Sequence, residues 1–469
     1  MLFSWFERRV DPYPEAAPGP APRGFFAFLW AGTEGMRPFI LGMMLLTASI
    51  GAFEALLFAM LGQVVDWLAA VEPARLWTDE GDTLLLLAAI IVGSIALVAV
   101  QTMLKHQSLA GNFPMRLRWN FHRLMLGQSM SFYQDEFAGR VATRVMQTAL
   151  AVRDVWFVVA EMIVYVVIYF GTIAAVAGTL DVRLLLPFGA WLVLYVLACR
   201  WYVPRLGKVA QTQADARSLM TGRIADAYTN ISTVKLFSYS QREAGYARGA
   251  MQEFLKTVNA QFRLITGFEV VNQLLSMLLI IATSGAALWL WSIGHVGVGT
   301  VAAATAIALR LNGMSHWVMW EFASLFEHIG TVRDGIGTLT RPQTVVDASD
   351  AKPLVVTRGE IRFEKVGFAY GSGKRVLDDF DLVIRPGEKV GLVGRSGAGK
   401  STVVNLLLRF YDLQSGRILI DGQDVAHVTQ DSLRAAIGMM TQDTSLLHRS
   451  VRENIVYGRP EADDATMVR

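Results

Sequence analysis

Six apolar stretches, each long enough to cross a lipid bilayer as a helix, dominate this 469-residue chain before residue 335. About 20 consecutive apolar residues in helical conformation span the hydrocarbon core of a bilayer. The sequence therefore predicts an all-α membrane domain of six spans. The predicted spans are Phe39–Leu61, Leu84–Leu104, Val155–Leu180, Leu184–Val203, Val270–Ile293 and Val296–Leu325, of which the last is the least apolar because it contains Arg310 and Glu321.

The loops between these spans differ in length and charge. Two long connections, 105–154 and 204–267, are rich in Arg and Lys, whereas the loop between the first two spans is short and acidic. Basic loops remain on the cytoplasmic side of a membrane. We therefore expect both long connections, the N-terminus and everything after the sixth span to be cytoplasmic.

Each long connection has a helix-forming composition with few breakers. This composition favours two helical extensions that meet at a tip, and the predicted tips are Ser131–Arg140 and Ile224–Ser232. Because a helix of about 25 residues projects nearly 40 Å, we expect each tip to contact another part of the protein. The alternative interpretation is a small separate cytoplasmic domain in each connection.

The segments on either side of the membrane domain are shorter. Residues 1–30 are predicted to form an N-terminal tail, in which the Pro-, Ala- and Gly-rich run Asp11–Gly24 is typical of a flexible tether. The aromatic run Phe25–Trp30 fits either an interfacial helix or a disordered tail. The membrane domain is expected over residues 31–335, followed by a linker at 336–354 and a soluble domain at 355–469.

Charge and cysteine content exclude two classes of function. A net charge of +3 is too small to indicate a nucleic-acid partner. The single cysteine, Cys199, can form neither an internal disulfide nor a zinc site by itself.

The soluble domain begins with strand-like segments. Glu360–Tyr370 alternates between apolar and polar residues, and Val376–Ile384 is a second candidate strand. Arg385–Glu388 is predicted to turn the chain, and Lys389–Gly394 has the composition of a buried strand. An α/β domain is therefore expected here.

The segment after Lys389–Gly394 has the pattern of a phosphate-binding P-loop. Gly394, Gly399, Lys400 and Ser401 have the required spacing between a strand and a helix. In such a loop, backbone N–H groups and the positive end of the helix face the phosphate oxygens. The motif predicts that Lys400 contacts the β- and γ-phosphates and that Ser401 binds Mg²⁺. The predicted nucleotide-contacting residues are Gly394, Arg395, Ser396, Gly397, Ala398, Gly399, Lys400, Ser401 and Thr402.

Over nearly its whole length the chain resembles an ATP-binding-cassette (ABC) exporter half-transporter of the bacterial multidrug or lipid type. The run FAYGSGKRVLDDFDLVIRPGEKVGLVGRSGAGKSTVVNLLLRFYDLQSGRILIDGQDV carries the most specific similarity. Two further runs, SFYQDEFAGRVATRV and ISTVKLFSYSQRE, resemble the intracellular-loop patterns of that family. The resemblance implies a six-helix membrane domain fused to an α/β cassette, which works as a homo- or heterodimer in the bacterial inner membrane.

The resemblance also implies roles for individual positions. Tyr370 matches the aromatic residue that stacks on adenine, and Gln442 matches the Q-loop glutamine that touches Mg²⁺. The two tips, Ser131–Arg140 and Ile224–Ser232, match the coupling helices that transmit cassette closure to the spans. ATP and Mg²⁺ are thus the implied cofactors.

Three elements that the resemblance implies have no counterpart between Met1 and Arg469. They are a signature motif, a strand ending in a general-base glutamate, and a switch histidine, all expected downstream. His427 and His448 lie at ordinary cassette positions and do not replace them. We therefore expect no catalytic residue within this chain, and we interpret it as a truncated or partial form that binds ATP without turning it over.

Polar residues within the spans are candidates for contacts with a transported molecule, because polar groups in a membrane are costly to retain. The alternative is that they pair structurally, and Glu54 is a suitable partner for Arg310. The expected cargo is a hydrophobic or amphipathic small molecule, lipid or peptide. The candidate residues are Glu54, Asn272, Gln273, Arg310 and Asn312.

Two other functions fit parts of the sequence. One is an ATP-binding membrane regulator or channel that does not pump. The other is an importer permease, which fits less well because such permeases usually lie on a separate chain from their cassettes.

Overall fold

The structure is a computed structural model that describes residues 2–16, 18–71, 81–136, 138–237, 239–371, 373, 375–440 and 446–468. The chain divides into two compact units. The first comprises Met1–Gly127 and Phe137–Arg341, and the second comprises Gln128–Glu136 and Pro342–Arg469.

The chain is helical as far as residue 339, as the apolar pattern predicts. One short helix in this part, α6, belongs to the second unit. In chain order the helices are Leu2–Glu7 (α1), Phe25–Gly32 (α2), Arg37–Ala70 (α3), Gly81–Met103 (α4), Asn112–Leu126 (α5), Met130–Asp135 (α6), Ala138–Phe157 (α7), Val164–Leu180 (α8), Leu185–Thr229 (α9), Ile231–Leu236 (α10), Ser240–Ser292 (α11) and Val298–Leu339 (α12).

Two stretches of wider π-type helix connect these elements. Leu104–Ala110 follows α4, and Val158–Ile163 joins α7 to α8. An ion pair links the two stretches, with Lys105 Nζ 2.6 Å from a carboxylate oxygen of Glu161. The helical path therefore continues from the apolar spans into the polar arms.

By length and composition, five helical segments of the described chain are able to cross a membrane. They are Arg37–Ala70, Gly81–Leu126, Ala138–Leu180, Val182–Thr229 and Ser240–Ser292. The predicted sixth span lies almost entirely on α12, which is 42 residues long and carries Arg310 and Glu321. Helix length and apolar composition thus support five spans, and the sixth stays a prediction.

The two long connections consist of helical extensions, as predicted, and not of separate small domains. Helix α9 has 45 residues and α11 has 53, so both continue far beyond the thickness of a bilayer. Pro187 lies in the first turn of α9, where a missing N–H removes no helical bond. The two arms of the second connection are therefore continuous with their spans within α9, which also contains Pro204, and within α11.

The boundaries predicted for the tips need correction. The second tip does not begin at Ile224, because α9 remains helical through Thr229 and the separate short helix is α10. Asn230 marks the break, and its side-chain amide donates back to the Asp226 carboxylate at 2.9 Å. At the first tip, α6 begins at Met130, one residue before the predicted segment, and residues 138–140 already belong to α7. We use "first tip" for Gln128–Glu136 and "second tip" for Ile231–Leu236.

The prediction of a flexible tether over Asp11–Gly24 is wrong for its first part. Arg116 donates to the carbonyl of Asp11 at 2.9 Å, and Arg123 donates to the carbonyl of Ala16 at 2.8 Å. On the same face of α5, Trp119 donates to the carbonyl of Pro14 in this segment, and Asn112 donates to the carbonyl of Glu7 at the end of α1. A stripe of donors with helical spacing fixes a chain that has little secondary structure of its own, and composition alone does not reveal such a stripe.

Helices α3 and α12 approach each other closely near the start of α12. The Asp66 carboxylate accepts a hydrogen bond of 2.7 Å from the backbone N–H of Gly299. A Cβ atom at Gly299 would lie 2.0 Å from the carbonyl oxygen of Gly62. The contact therefore requires glycine at position 299, and it satisfies one of the free N–H groups of the first turn of α12.

The second unit contains a four-stranded antiparallel sheet in the order β2-β1-β3-β4. Phe363, Val366 and Ile418 from the sheet form a core with Val403 and Leu406. The strands are Ile361–Ala369 (β1), Arg375–Ile384 (β2), Ser415–Ile420 (β3) and Gln423–Asp424 (β4), and the helices are Lys400–Leu407 (α13), Gln430–Ala435 (α14), Val451–Ile455 (α15) and Asp464–Val468 (α16). The first two strands and α13 agree with the sequence prediction.

The strand predicted at Lys389–Gly394 is absent from the described structure. These residues have no regular secondary structure and are exposed, with 99% of Val393 accessible. A buried parallel strand forms only where neighbouring strands supply its hydrogen bonds. Among the described residues no strand pairs with this segment, so its apolar side chains lack a sheet to join.

Asp421, in the turn between β3 and β4, organises the start of the sheet. Its carboxylate accepts backbone N–H bonds from Thr357, Arg358, Gly359 and Glu360, at 2.7 to 3.1 Å. The N–H groups of Arg358, Gly359 and Thr357 hold the pKa of the Asp421 carboxyl well below its usual range. The turn thus ties the entry of β1 to the end of β3.

The close approach at Gly299 leads to a stability prediction. We expect Gly299→Ala to lower the midpoint of thermal unfolding, because the added methyl group collides with backbone at Gly62. Gly285→Ala is the matched control, since it lies within α11 and a Cβ there meets no atom within 4 Å. Unfolding of the detergent-purified protein, followed by size-exclusion chromatography after heating, measures both. Equal unfolding midpoints for the two variants would contradict the prediction that position 299 requires glycine.

Candidate nucleotide-binding site and membrane cavity

The predicted P-loop is a compact turn at the start of α13. The N–H of Ala398 donates to the carbonyl of Arg395 at 3.1 Å, and α13 begins at Lys400. Gly397 and Gly399 have φ angles of 84° and 88°, which only glycine adopts readily. The turn therefore presents the free N–H groups of a helix N-terminus beside a curled glycine-rich backbone.

Gly399 is the most restricted of these glycines. Besides its positive φ, a Cβ atom there would lie 3.1 Å from Val376 and 3.3 Å from Leu377, both in β2. The loop is thereby held against the antiparallel sheet. Position 399 is thus restricted both by its backbone conformation and by its neighbours.

The Lys400 ammonium lies over this turn. Its Nζ atom donates to the carbonyl oxygens of Gly394 and Arg395 at 2.8 and 2.9 Å. The structure therefore brings Lys400 together with the loop in which Ser396, Gly397 and Ala398 also lie. Ser401 is exposed in the first turn of α13, whereas Thr402 beside it is buried.

Tyr370 lies beside the P-loop helix. Its hydroxyl is 3.2 Å from Thr402 Oγ1, and its ring meets Phe368 and Tyr411 edge-on, with centroids 4.9 and 5.2 Å away. About a third of the tyrosine is exposed. An aromatic surface is thus held at the first turn of α13, where adenine stacking stays a prediction.

The other predicted cassette residues have different outcomes. Gln442 lies outside the described residues, so its contact with Mg²⁺ stays a prediction. His427 lies in a short 3₁₀ turn after β4, away from the P-loop sequence. The described part of the chain contains no cluster of three His, Cys, Asp or Glu side chains able to hold a metal ion.

The donor set at the P-loop suits a nucleoside triphosphate with Mg²⁺. Backbone N–H groups, a helix N-terminus and the Lys400 ammonium all favour phosphate oxygens. Mg²⁺ binds few protein ligands and completes its shell with phosphate oxygens and water. The Ser401 hydroxyl is a suitable protein ligand of this kind.

The candidate residues within the spans separate into different environments. Glu54 and Arg310 form the ion pair that their positions suggest, at 2.9 Å, and the Tyr165 hydroxyl donates to the same carboxylate oxygen at 2.5 Å. Both charged side chains line a cavity of about 460 Å³ whose other walls are mostly apolar residues of α3 and α4. This combination fits a molecule with both apolar and polar parts.

The three amide candidates lie elsewhere. Asn272 is fully buried, and its side-chain nitrogen and oxygen have no hydrogen-bond partner within the described chain. Gln273, the next residue, is exposed on a different face of α11, and Asn312 is half-buried. None of them is among the described residues that line the cavity with Glu54 and Arg310.

Sequence reasoning missed several residues that the structure places at contacts. Asp66 fixes the start of α12, and Tyr165 completes the Glu54–Arg310 cluster. An acidic residue at the end of a span offered a weak signal for Asp66. The role of Tyr165 depends on the packing of α3 against α8, which periodicity does not specify.

The restricted conformation at Gly399 predicts a binding defect. We expect Gly399→Ala to weaken Mg²⁺–nucleotide binding by about tenfold, because an L-residue at positive φ is strained by about 1–2 kcal/mol. Gly458→Ala is the control in the same unit, since its Cβ has open space. Binding of a fluorescent trinitrophenyl-ATP measures the effect, and equal affinities for the two variants would count against the loop geometry.

The Glu54–Arg310 pair predicts a non-additive effect on stability. Glu54→Gln leaves the Arg310 charge without its partner, so we expect a larger drop in the unfolding midpoint than for the double variant Glu54→Gln/Arg310→Gln. Thermal unfolding in nanodiscs, with Arg310→Gln completing the cycle, measures the coupling. Additive single effects would show that the two side chains do not support each other.

Comparison with known protein families identifies both parts of the chain. The family model for the ABC transporter transmembrane region matches residues 40–314. The family model for the ABC transporter, which carries the P-loop, matches residues 377–468. Together the matches cover both the helical spans and the P-loop.

Two curated relatives differ in how much they share with the chain. An uncharacterized ABC transporter ATP-binding protein of Haemophilus influenzae is 56% identical over 467 residues, which cover 100% of this chain and 76% of the relative. An ATM1-type heavy metal exporter of Novosphingobium aromaticivorans is 36% identical over 52% of this chain and 40% of its own length. The chain thus spans three quarters of the first relative and two fifths of the second.

A solved structure supports the fold. The structure of a bacterial Atm1-family ABC exporter with ATP bound matches with a TM-score of 0.78 at 24% identity, over 92% of this chain and 75% of that protein. The chain therefore belongs to the ABC transporter family, with the architecture of an exporter half-transporter in which a membrane domain and an ATP-binding cassette share one polypeptide.

Proposed function

We propose that the intact protein uses ATP binding and hydrolysis at the P-loop to export a hydrophobic or amphipathic molecule across the bacterial inner membrane. The observation that carries the proposal is the P-loop at the start of α13, with Lys400 over its carbonyls, on the same chain as the membrane helices. The cargo is inferred from the cavity at Glu54 and Arg310, whose walls combine apolar side chains with an ion pair.

Each cassette residue has a role in this proposal. The loop Gly394–Gly399 and the N-terminus of α13 bind the phosphates, Lys400 neutralises the β- and γ-phosphates, and Ser401 holds Mg²⁺ together with Gln442. Bound Mg²⁺–ATP supplies the phosphoanhydride whose hydrolysis drives the cycle. Tyr370 offers a ring face to the adenine, and the Thr402 hydroxyl holds the Tyr370 hydroxyl by a hydrogen bond.

The proposal includes a partner. A second half-transporter, either another copy or a related chain, completes the transport pathway and the ATP sites. ATP turnover is proposed for the intact protein, and the two tips are proposed to be its coupling helices.

The proposal predicts that Lys400→Ala in the intact protein lowers ATP hydrolysis at least tenfold, a change of about 1.4 kcal/mol in the barrier, because it removes a charge-assisted contact to the phosphates. Lys389→Ala, at an exposed lysine beside the loop, is the matched control. Phosphate release in nanodiscs measures turnover, and uptake of rhodamine 123 into inverted membrane vesicles measures transport. Turnover that is unchanged in Lys400→Ala would refute the assignment of the P-loop.

A further inference from the structure

The linker before the cassette is held at two neighbouring points by two different parts of the second unit. Residues Thr344 and Val345 bind the first tip, and residues Val346 and Asp347 bind the end of the P-loop helix. We call this arrangement the linker clamp, formed by Ser129, Thr344, Val345, Val346, Asp347 and Arg409.

On the tip side, the clamp depends on one hydroxyl. Ser129 precedes α6 at the N-cap position, yet its Oγ atom does not cap its own helix. It accepts two backbone N–H bonds from the linker, from Thr344 at 2.9 Å and from Val345 at 3.0 Å. Ser129 is 8% exposed and Val345 is 6% exposed. These bonds are therefore shielded from water, which raises the cost of breaking them.

A second contact strengthens the tip side. Ser131, in the first turn of α6, lies with its hydroxyl 2.9 Å from the hydroxyl of Thr344. The clustering of Gln128–Glu136 with the cassette, and not with the helices on either side of it in sequence, reflects these contacts.

On the cassette side, the clamp depends on Arg409. Helix α13 ends at Leu407, and Arg409 has a φ angle of 49°, the left-handed conformation that terminates helices. Only 5% of the residue is exposed. Its guanidinium donates to the carbonyl of Val346 at 3.0 Å and lies 3.6 Å from the Asp347 carboxylate.

Asp347 has a further partner in the cassette. Its carboxylate accepts bonds from the side-chain and backbone nitrogens of Gln430, at 2.9 and 3.2 Å. Arg409 itself also donates to the carbonyl of Val428. The linker is therefore attached to a rigid group of side chains at the C-terminal end of α13.

Helix α13 has the phosphate site at one end and Arg409 at the other. With eight residues it is about 12 Å long, and its apolar face is packed in the core through Val403 and Leu406. Arg409 follows the C-terminal end of this short, packed helix, so we expect a shift of α13 at Lys400 to displace Arg409 as well. The linker residues that bind Arg409 follow directly after those that bind Ser129, so no unbound linker residue lies between the two contacts.

We propose that the linker clamp is a second coupling route, in which the P-loop helix transmits nucleotide binding to the first tip through residues 344–347 of the same chain. Arg409 and Ser129 are its positioning residues. This inference rests on the proposed function of the P-loop, but it does not involve Gln442. It assigns to the linker a mechanical role besides that of a covalent connection.

The test compares the nucleotide response of the two tips in the intact protein. Amide hydrogen exchange is measured in nanodiscs with and without Mg²⁺ and the non-hydrolysable analogue AMP-PNP. In the wild type we expect nucleotide to change exchange in both tips. In Ser129→Ala we expect the nucleotide-dependent change in exchange of the first tip to shrink by a factor of about three, while the second tip responds as before.

Two further variants complete the test, one as a matched control and one at the other end of the linker clamp. Ser232→Ala makes the same chemical change at an exposed position of the second tip and should leave the first-tip response intact. Arg409→Lys keeps the charge but loses the forked geometry, and it should reduce the first-tip response as Ser129→Ala does. The KM for ATP should be unchanged in Ser129→Ala, whereas rhodamine 123 transported per ATP hydrolysed should fall.

The outcomes separate this inference from the proposed function. If the nucleotide-dependent change in exchange of the first tip is the same in Ser129→Ala as in the wild type, the linker clamp carries no coupling, although the P-loop assignment survives. If Ser129→Ala alters exchange equally with and without nucleotide, the hydroxyl is structural and the inference is overturned. If the wild-type tips do not respond to Mg²⁺–AMP-PNP, both the inference and the proposed function fail.

Discussion

Every backbone amide inside a bilayer needs a hydrogen-bond partner within the protein, and this architecture depends on that constraint. Helices satisfy it locally, so each apolar span is a helix. Helices α9 and α11 do not stop where the apolar residues stop, and they continue without a break into the basic arms. In α9 and α11 a span and its arm are therefore one continuous helix, which is suited to carry a displacement from the end of the arm to the span.

The cassette follows the opposite rule, because sheet hydrogen bonds come from distant segments. The P-loop could be predicted since its determinants are local: glycines at 397 and 399, a helix starting at Lys400, and a lysine within reach of the turn. The strand at Lys389–Gly394 could not, because its composition is apolar but its pairing partners are not supplied by the described residues. Local chemistry and long-range pairing thus differ in how well a sequence specifies them.

The same distinction explains the remaining successes and errors. The pairing of Glu54 with Arg310 could be anticipated, since opposite charges within spans have few other stable arrangements. The attachment of residues 11–16 to α5 could not be anticipated, because the composition of a Pro- and Ala-rich run does not show that side chains of another helix bind its carbonyls. Ser129 and Arg409 gave no signal, because a serine before a short helix and an arginine after one are common residues in unremarkable positions. Their importance lies in what they contact.

The linker clamp uses backbone groups of the linker for most of its bonds. Ser129 accepts from two N–H groups, and Arg409 donates to a carbonyl, so most of these contacts do not depend on the side chains of residues 344–346. Such a connection transmits position while leaving the linker sequence free to vary. Stiffness also matters, because energy from nucleotide binding shifts a conformational equilibrium only through contacts that differ between its states. Two shielded bonds to one hydroxyl are followed, at the next linker residue, by a bond from a buried guanidinium, so the linker is held over consecutive residues. A coupling element needs that property, and a flexible tether lacks it.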